Sequence, residues 1–218
     1  MATLYPLPDL LFEDCEFDPI QPSSVDRMEG RRTEAAVFGT PYWAAKYRFT
    51  FLRRQQLGIV DAFMMDVQSA ASYFLAYDIA RPRPIAHDNG KPLAGVKAGG
   101  GAFNGDAVLQ SITNSSTIVV SGLPGGFVFS IGDYVEVRKS SLVRSLHRVR
   151  QAAVASGAGV VTLSIRYPLD VQNFALPCTV HLEKPSCIMQ IDAGSWSASK
   201  AMNARTPSFS ATEVFPYA

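Results

Sequence analysis

The sequence predicts a mainly β protein with one helix, in which a β-sandwich or barrel domain carries a small inserted β-barrel. Three observations predict this fold class. Aromatic and small apolar side chains alternate with polar ones from Trp43 to Phe51, one stretch at about residues 54–71 has a helical period, and short β-branched runs between glycine-rich turns fill residues 116–165. Period-two alternation indicates half-buried strands, and short strands at regular spacing are typical of barrels and sandwiches.

The composition is that of an ordinary globular protein and narrows the function classes. The chain has 218 residues, a formal net charge of +1 and 18% charged residues, so the basic excess of a dedicated nucleic-acid-binding protein is missing. No apolar run approaches the roughly 20 residues that span a bilayer. Cys15, Cys178 and Cys187 are too few and too irregularly spaced for a disulfide framework. We expect a soluble chain made in a reducing cytosol, with neither nucleic-acid recognition nor membrane insertion.

Residues 1–26 are expected to form an acidic, extended N-terminal arm. Four prolines interrupt this segment, which contains six acidic side chains and no Lys or Arg. Proline restricts the backbone and removes a hydrogen-bond donor, so a helix is disfavoured. Such an arm must pack on something, and the basic residues of segment 27–54 offer it a surface of opposite charge.

The strand that starts at Trp43 is followed by one amphipathic helix at about residues 54–71, because the apolar period changes from two to between three and four. A second apolar strand follows at Tyr73–Tyr77. The segment Arg81–Pro84 then alternates arginine and proline, which ends regular structure and marks a domain boundary.

The strands beyond this boundary predict a separate β-barrel domain at residues 85–176. The first block has too few strands to close a sheet, so we expect strands near the C-terminus to complete it. The domain that carries this insertion is therefore discontinuous and comprises residues 1–84 plus 177–218.

The candidate chemical groups favour a structural interpretation over an enzyme. Cys178 and His181 are three residues apart, so they face opposite sides of a strand, and Pro185 separates both from Cys187. His147 lies among arginines and is interpreted as a strand-face histidine, although a neutral base is conceivable there. Residues 99–105 match neither the dinucleotide nor the Walker phosphate-binding pattern. We expect no catalytic residue, cofactor or metal.

The remaining features indicate self-assembly. Aromatic strand faces with open edges and arms without a local core gain order by packing on a neighbouring chain. The side chains expected at such an interface are those of the acidic arm and the basic segment: Leu11, Phe12, Glu13, Asp14, Phe17, Arg31, Arg32, Arg48 and Arg53.

Two series of short motifs carry a resemblance to a known family. The first comprises Phe38–Ala44, Tyr73–Asp78 and Arg81–Pro84, and the second comprises Leu123–Gly126, Phe129–Val137, Leu146–Val149, Thr162–Leu169 and Val180–Pro185. Together they are similar to the distal tail proteins, or tail-tip adaptors, of long-tailed bacteriophages. The resemblance spans nearly the whole chain.

The resemblance implies a structural virion protein without catalytic residues. It implies that the discontinuous domain is a ring domain, and that six copies form a ring that joins the tail tube protein to the baseplate or tip hub of a siphophage. The location would be the tail tip of the virion, after assembly in the host bacterial cytoplasm. Three alternatives stay open: a minor tail or hub component, a carbohydrate-binding module with Phe127, Tyr134 and Tyr167 as a stacking platform, and an enzyme that uses His147 or the Cys178, His181 and Cys187 group.

Overall fold

A computed structural model describes residues 3–68, 72–198 and 205–216 of the chain. Strands dominate these residues and one α-helix occurs among them, which confirms the predicted fold class. The first elements are β1 (Thr3–Pro6), β2 (Phe12–Ile20), β3 (Ser23–Arg27), β4 (Thr33–Val37), β5 (Tyr42–Phe49), α1 (Arg54–Val67) and β6 (Ser72–Ala76). A 3-10 turn at Ile85–His87 follows, and then β7 (Gly95–Val96), β8 (Ala102–Phe103), β9 (Asp106–Asn114), β10 (Thr117–Ser121), β11 (Val128–Phe129), β12 (Tyr134–Arg138), β13 (Arg144–Val149), β14 (Ala153–Val154), β15 (Val161–Arg166), β16 (Cys178–His181), β17 (Cys187–Ile191) and β18 (Ser208–Glu213).

The described residues form two compact units. The first contains residues 3–7, 72–188 and 215–216, and the second contains residues 8–68, 189–198 and 205–214. The chain passes from the first unit to the second within β17. Strand β17 lies beside β6 in the strand order, and β6 pairs in parallel with β1. On the side of the second unit, the strand order continues as β17-β18-β5-β2.

The first unit is built around a closed six-stranded barrel with the strand order β10-β15-β13-β12-β16-β9. Alternating side chains of these strands point into one apolar core, in which Ile118, Leu163 and Val180 are completely buried. Closure leaves no barrel strand with an unpaired edge, so all six strands have partners on both sides.

The unit boundary differs from the predicted one at both ends. The barrel takes its sixth strand, β16, from residues 178–181, which lie beyond the predicted end of the insertion at residue 176. Without β16 there would be a gap between β9 and β12. Residues 72–84 also group with the barrel, because Asp78 accepts a hydrogen bond from the Tyr134 hydroxyl of β12 at 3.0 Å.

The glycine-rich segment that superficially resembles a phosphate loop is the turn of a short hairpin. Strands β7 and β8 pair there, and the Lys97 amide donates to the Gly101 carbonyl at 2.9 Å. Gly100 and Gly101 have φ of 91° and 90°, a conformation that side chains with a Cβ rarely adopt.

The second unit is a sheet whose inner face is aromatic. Along β5 the side chains of Trp43, Tyr47 and Phe49 are buried, whereas those of Lys46 and Arg48 are exposed, as the alternation predicts. The ring of Phe209 in β18 lies 5.4 Å from that of Tyr47 and 6.2 Å from that of Phe63 in α1. The buried face of the helix therefore packs on this aromatic layer.

Helix α1 begins where the sequence predicts and ends earlier. The Arg53 amide donates to the side-chain oxygen of Gln56 at 2.9 Å, which satisfies one of the free donors at the helix start. Val60, Met64 and Val67 point inward as expected. The helix ends at Val67, and the last predicted helical residues, 69–71, lie outside the described residues.

The expectation that the N-terminal arm lacks a local core and gains its order from a neighbouring chain is corrected by the described part of that segment. Strand β1 pairs with β6, and β2 pairs with β5 from Phe12 opposite Phe49 to Ile20 opposite Tyr42. Phe17 is buried and its ring stacks on Trp43 at 5.4 Å. Most of the predicted arm is thus an integral part of the chain's own sheets, because its apolar side chains find aromatic partners there.

Candidate assembly surface

Strands β3 and β4 form a hairpin that continues the β2–β5 pair beyond the second unit's sheet. The ladder of β2 and β5 ends at Ile20 opposite Tyr42, and the Phe38 amide then donates to the Pro22 carbonyl at 3.2 Å. Pairing resumes with Ser23 opposite Val37 and runs to Arg27 opposite Thr33. We call residues 23–37 the ribbon.

A tight turn closes the end of the ribbon. The Met28 amide donates to the Arg32 carbonyl at 3.0 Å, and the Arg31 amide donates to the Met28 carbonyl at 3.1 Å. Arg31 has a φ of 61°, in the left-handed region. This arrangement is a three-residue hairpin loop in which the last loop residue is left-handed, and it orders the turn without any contact to a core.

All ten strand residues of the ribbon are exposed. On one face, Val25 lies opposite Ala35, and Val37 lies one pair further along, with Arg27 towards the turn. The other face carries Asp26 opposite Glu34, a like-charge pair that weakens the hairpin. We call the first of these the apolar face of the ribbon.

An isolated two-stranded hairpin is at most marginally stable in water, because it buries little apolar surface against the entropy of ordering its backbone. The ribbon resembles such a hairpin in having two strands and no core, although the β2–β5 ladder anchors its base, where Phe38 is 71% exposed. A second surface that covers the apolar face would supply the missing stabilisation. The ribbon is therefore the strongest candidate for a contact with another chain.

The structure divides the predicted interface residues into two groups. Phe17 is buried within the chain and Phe12 stacks on Phe49 at 4.5 Å, so these two side chains serve the chain's own sheet. Leu11 remains exposed. Of the basic residues, only Arg31 and Arg32 lie on the ribbon.

The predicted attraction between acidic and basic segments is partly satisfied inside the chain. Glu16 pairs with Lys46 at 3.4 Å, and Asp14 lies opposite Arg48 in the β2–β5 ladder. Glu13 is exposed on the same edge strand, and Arg53 is at the start of α1. Charged side chains on an edge strand oppose indiscriminate pairing with other strands.

The ribbon is not among the strands that the sequence predicts. Because both faces are exposed, the two strands lack the strong apolar alternation by which the other strands were found. The available signal was Gly30 between two short runs with β-branched residues, with Pro22 and Gly39 at the outer ends.

The prominent polar groups of the barrel unit are engaged in structural contacts. The Tyr134 hydroxyl donates to Asp78 and receives hydrogen bonds from Arg81 and Arg148. Burial raises the pKa of Tyr134 above its usual range, so the phenol stays neutral. Tyr134 and Phe127 are both buried, so the aromatic platform proposed for a saccharide is not an exposed surface.

A second buried cluster is centred on Glu136, which is completely buried. Its carboxylate accepts from Arg138 and Arg144 at 2.8 Å each and from the amide and hydroxyl of Ser186 at 2.9 and 3.1 Å. Burial lowers the pKa of Arg144, and Glu136 opposes that effect. A carboxylate satisfied on every side has a structural role in joining strands.

The candidate catalytic and metal-binding residues are held apart by the barrel. Cys178 belongs to the barrel core, where burial raises the pKa of its thiol, whereas His181 pairs with Asp106. His147 is completely buried and donates through Nδ1 to the Tyr167 carbonyl at 2.9 Å. In the parts of the chain that the structure describes, no three His, Cys, Asp or Glu side chains are grouped so as to hold a metal.

A cleft of about 510 Å³ lies beside the 3-10 turn of the barrel unit. The His87 ring stacks on Phe127 at 3.9 Å, and its Nε2 accepts from the Val128 amide at 3.1 Å. Burial lowers the pKa of His87, so it is neutral near pH 7. The ring therefore packs between the cleft and the barrel core as a structural side chain.

No protein-family model matches the chain, and no curated protein matches it. Across residues 3–68, 72–198 and 205–216, the structure contains no helix with the length and apolar character needed to cross a membrane.

Proposed function

We propose that this protein is a structural subunit that builds a ring at the tail tip of a long-tailed bacteriophage, as a distal tail protein. Its partners would be other copies of itself, six in all, together with the tail tube protein on one side and the baseplate or tip hub on the other. It would act in the virion after assembly in the host cytoplasm, without enzymatic activity.

The observation that carries this proposal is the uncovered ribbon. Two strands without a core project from an otherwise well-packed sheet. Val25 and Val37 on these strands, and Phe38 at the base of the ribbon, are more than half exposed. Extended patches of this kind mark interaction sites. The motif resemblance of the sequence supports the tail tip as the place of this interaction.

Ring formation is also consistent with the chemistry of the sheet edge. Strand β2 is the last strand of the second unit's sheet and carries acidic side chains on its exposed positions. A projecting ribbon and a sheet body are two different surfaces of one chain. Contacts between unlike surfaces either close into rings or continue as filaments.

The experiment is imaging of the purified full-length chain by negative stain, with particles sorted by rotational symmetry. The proposal predicts closed sixfold rings. The matched variant replaces residues 24–36 by a two-residue Asn-Gly turn and should be a folded monomer with an unchanged barrel. A full-length chain that stays monomeric at high micromolar concentration, or a shortened chain that still forms rings, would contradict the proposal.

The carbohydrate-binding alternative makes a different prediction for the same preparation. It expects the full-length chain to bind host surface glycans as a monomer. A minor tail or hub component would assemble with a symmetry other than six. The same images, together with a glycan-binding measurement, distinguish the three functions.

A further inference from the structure

The second unit carries a second exposed apolar surface, on the outer face of helix α1. Ile59, Ala62 and Met65 are exposed and recur every three residues, so they lie along one face of the helix. The opposite face, with Val60 and Met64 among its members, is buried against the sheet. We call the exposed row the helix stripe.

The helix stripe is unusual for a solvent-facing helix surface. Ile59 and Met65 are 53% and 79% exposed. A helix that packs on one side only is expected to carry charged or polar residues on the other. Here the outer face has three apolar side chains in a row, and Asp66 is the acidic residue next to them.

The apolar face of the ribbon complements the helix stripe in its apolar character and in its charge. The ribbon face has Val25, Ala35 and Val37 in one patch with the single cation Arg27. The helix stripe has Ile59, Ala62 and Met65 with the exposed Asp66 beside it, and the half-buried Asp61 lies one turn before Met65. Each surface thus combines a row of apolar side chains with charge at its margin, and the signs of the two charges are opposite.

We infer that the apolar face of the ribbon of one copy docks on the helix stripe of a second copy of this chain, with Arg27 paired to Asp66. This inference rests on the proposed ring and specifies its contact. Both surfaces are exposed in the single chain, so a neighbouring copy can supply what each lacks. Because the two surfaces differ, the contact is heterologous and repeats from copy to copy.

The apolar side chains and the charged pair contribute differently to the contact. Burial of the apolar side chains provides affinity, at about 25 cal/mol per Å² before ordering costs are subtracted. The Arg27–Asp66 pair fixes the register and disfavours other docking positions, because an unpaired or like charge at an apolar contact is strongly unfavourable. The helix stripe is on rigid, packed structure, so the ribbon is the element that becomes ordered.

A charge-swap experiment tests the inference on the full chain. The single variants Arg27→Asp and Asp66→Arg should each weaken self-association by about tenfold or more, since each creates a like-charge contact. The double variant should recover most of the loss. Association is measured by mass photometry over a concentration series, and melting temperatures report whether each variant is folded.

The matched control is Asp26→Arg, which reverses a charge on the opposite face of the same ribbon. It leaves the apolar face intact and relieves the repulsion between Asp26 and Glu34, so it should not weaken association. The apolar part of the contact is tested separately by Ile59→Asn. Ile59 is 53% exposed, so this substitution should leave the stability of the fold nearly unchanged, and it should weaken association.

The outcomes separate this contact from the ring itself. Rings that persist in both single charge variants, or a double variant no better than the singles, would overturn the ribbon–helix contact and leave the proposed ring standing. A full-length chain that never associates would overturn both. Capture of a different protein by the ribbon, with no self-association, would likewise contradict the second copy as the occupant.

Discussion

The barrel and the ribbon are both made of short antiparallel strands, yet they differ in what holds them together. Each barrel strand has hydrogen-bonded partners on both sides and points Ile118, Leu163 or a similar side chain into a common core. The ribbon strands have one partner each and no core. Strand pairing alone therefore does not account for order in this chain, and apolar burial decides which hairpins are self-sufficient.

The two regions also use ion pairs differently. Glu136 and Arg144 are buried at 2.8 Å from each other, whereas Arg32 and Glu34 lie at 3.1 Å on the exposed ribbon. Removal of one buried partner leaves an uncompensated charge, while exposed pairs are screened by water and salt. Two ion pairs of similar length therefore contribute differently to the free energy of unfolding.

The largest expected effect is that of a cavity in the barrel core. Phe129 is completely buried and contacts Phe127 with ring centres 5.2 Å apart, so Phe129→Ala should lower the free energy of unfolding by about 3–5 kcal/mol. The matched ribbon variant Val25→Ala should change it by less than about 0.5 kcal/mol. Chemical denaturation measures both, and similar losses would remove the distinction between the two regions.

Loss of the buried carboxylate comes next. Glu136→Ala should cost about 3 kcal/mol, because Arg144 would keep its charge in a buried site without a partner. The double variant Glu136→Ala with Arg144→Met should recover part of this loss. A neutral result for the single variant would show that water reaches this cluster.

Acid should destabilise the barrel through His147. Burial lowers the pKa of His147 to about 4, against 6.5 in the unfolded chain. The folded protein favours the neutral ring, so stability is lost as the pH falls from 6.5 through 4, by about 2 kcal/mol at pH 5. Denaturation at a series of pH values should show this slope, and His147→Asn should reduce it; an unchanged slope assigns the effect elsewhere.

A rise in pH should weaken the sheet from which the ribbon projects. Burial raises the pKa of Glu213 to about 8, and its carboxyl accepts from the Trp43 amide at 2.9 Å. The folded state favours the protonated acid, so its contribution is present below pH 4.5 and is lost as the pH rises through 8. Glu213→Gln keeps the shape and the acceptor, and its stability relative to the parent should increase with pH. Equal pH profiles for the two proteins would contradict this assignment.

The smallest effect is expected at the exposed ion pair of the ribbon. Arg32→Ala should change the free energy of unfolding by less than about 0.5 kcal/mol, because both side chains are largely in solvent. Raised salt should bring this small difference closer to zero, because exposed charges are screened. A loss comparable to that of Glu136→Ala would mean that the ribbon is ordered within the single chain.

The elements that sequence reasoning predicted correctly are those in which one face is buried. Strand β5 and helix α1 can be predicted because buried side chains, such as Trp43 and Tyr47 in the strand and Val60 in the helix, recur at the period of each element. The pairing of β2 with β5 and the closure of the barrel by β16 were missed, because both depend on contacts distant in sequence. The ribbon escaped notice because a hairpin exposed on both faces lacks that amphipathic period.

We propose that the ribbon lacks self-sufficient order and acquires it from a second copy. The decisive measurement is amide hydrogen exchange of the full chain, followed by mass spectrometry in dilute and in assembled samples. Residues 23–37 should exchange fast in the dilute monomer and become markedly protected after assembly, while β12 and β15 of the barrel stay protected in both. A ribbon as protected as the barrel in the monomer, or one that still exchanges fast within assembled rings, would contradict it.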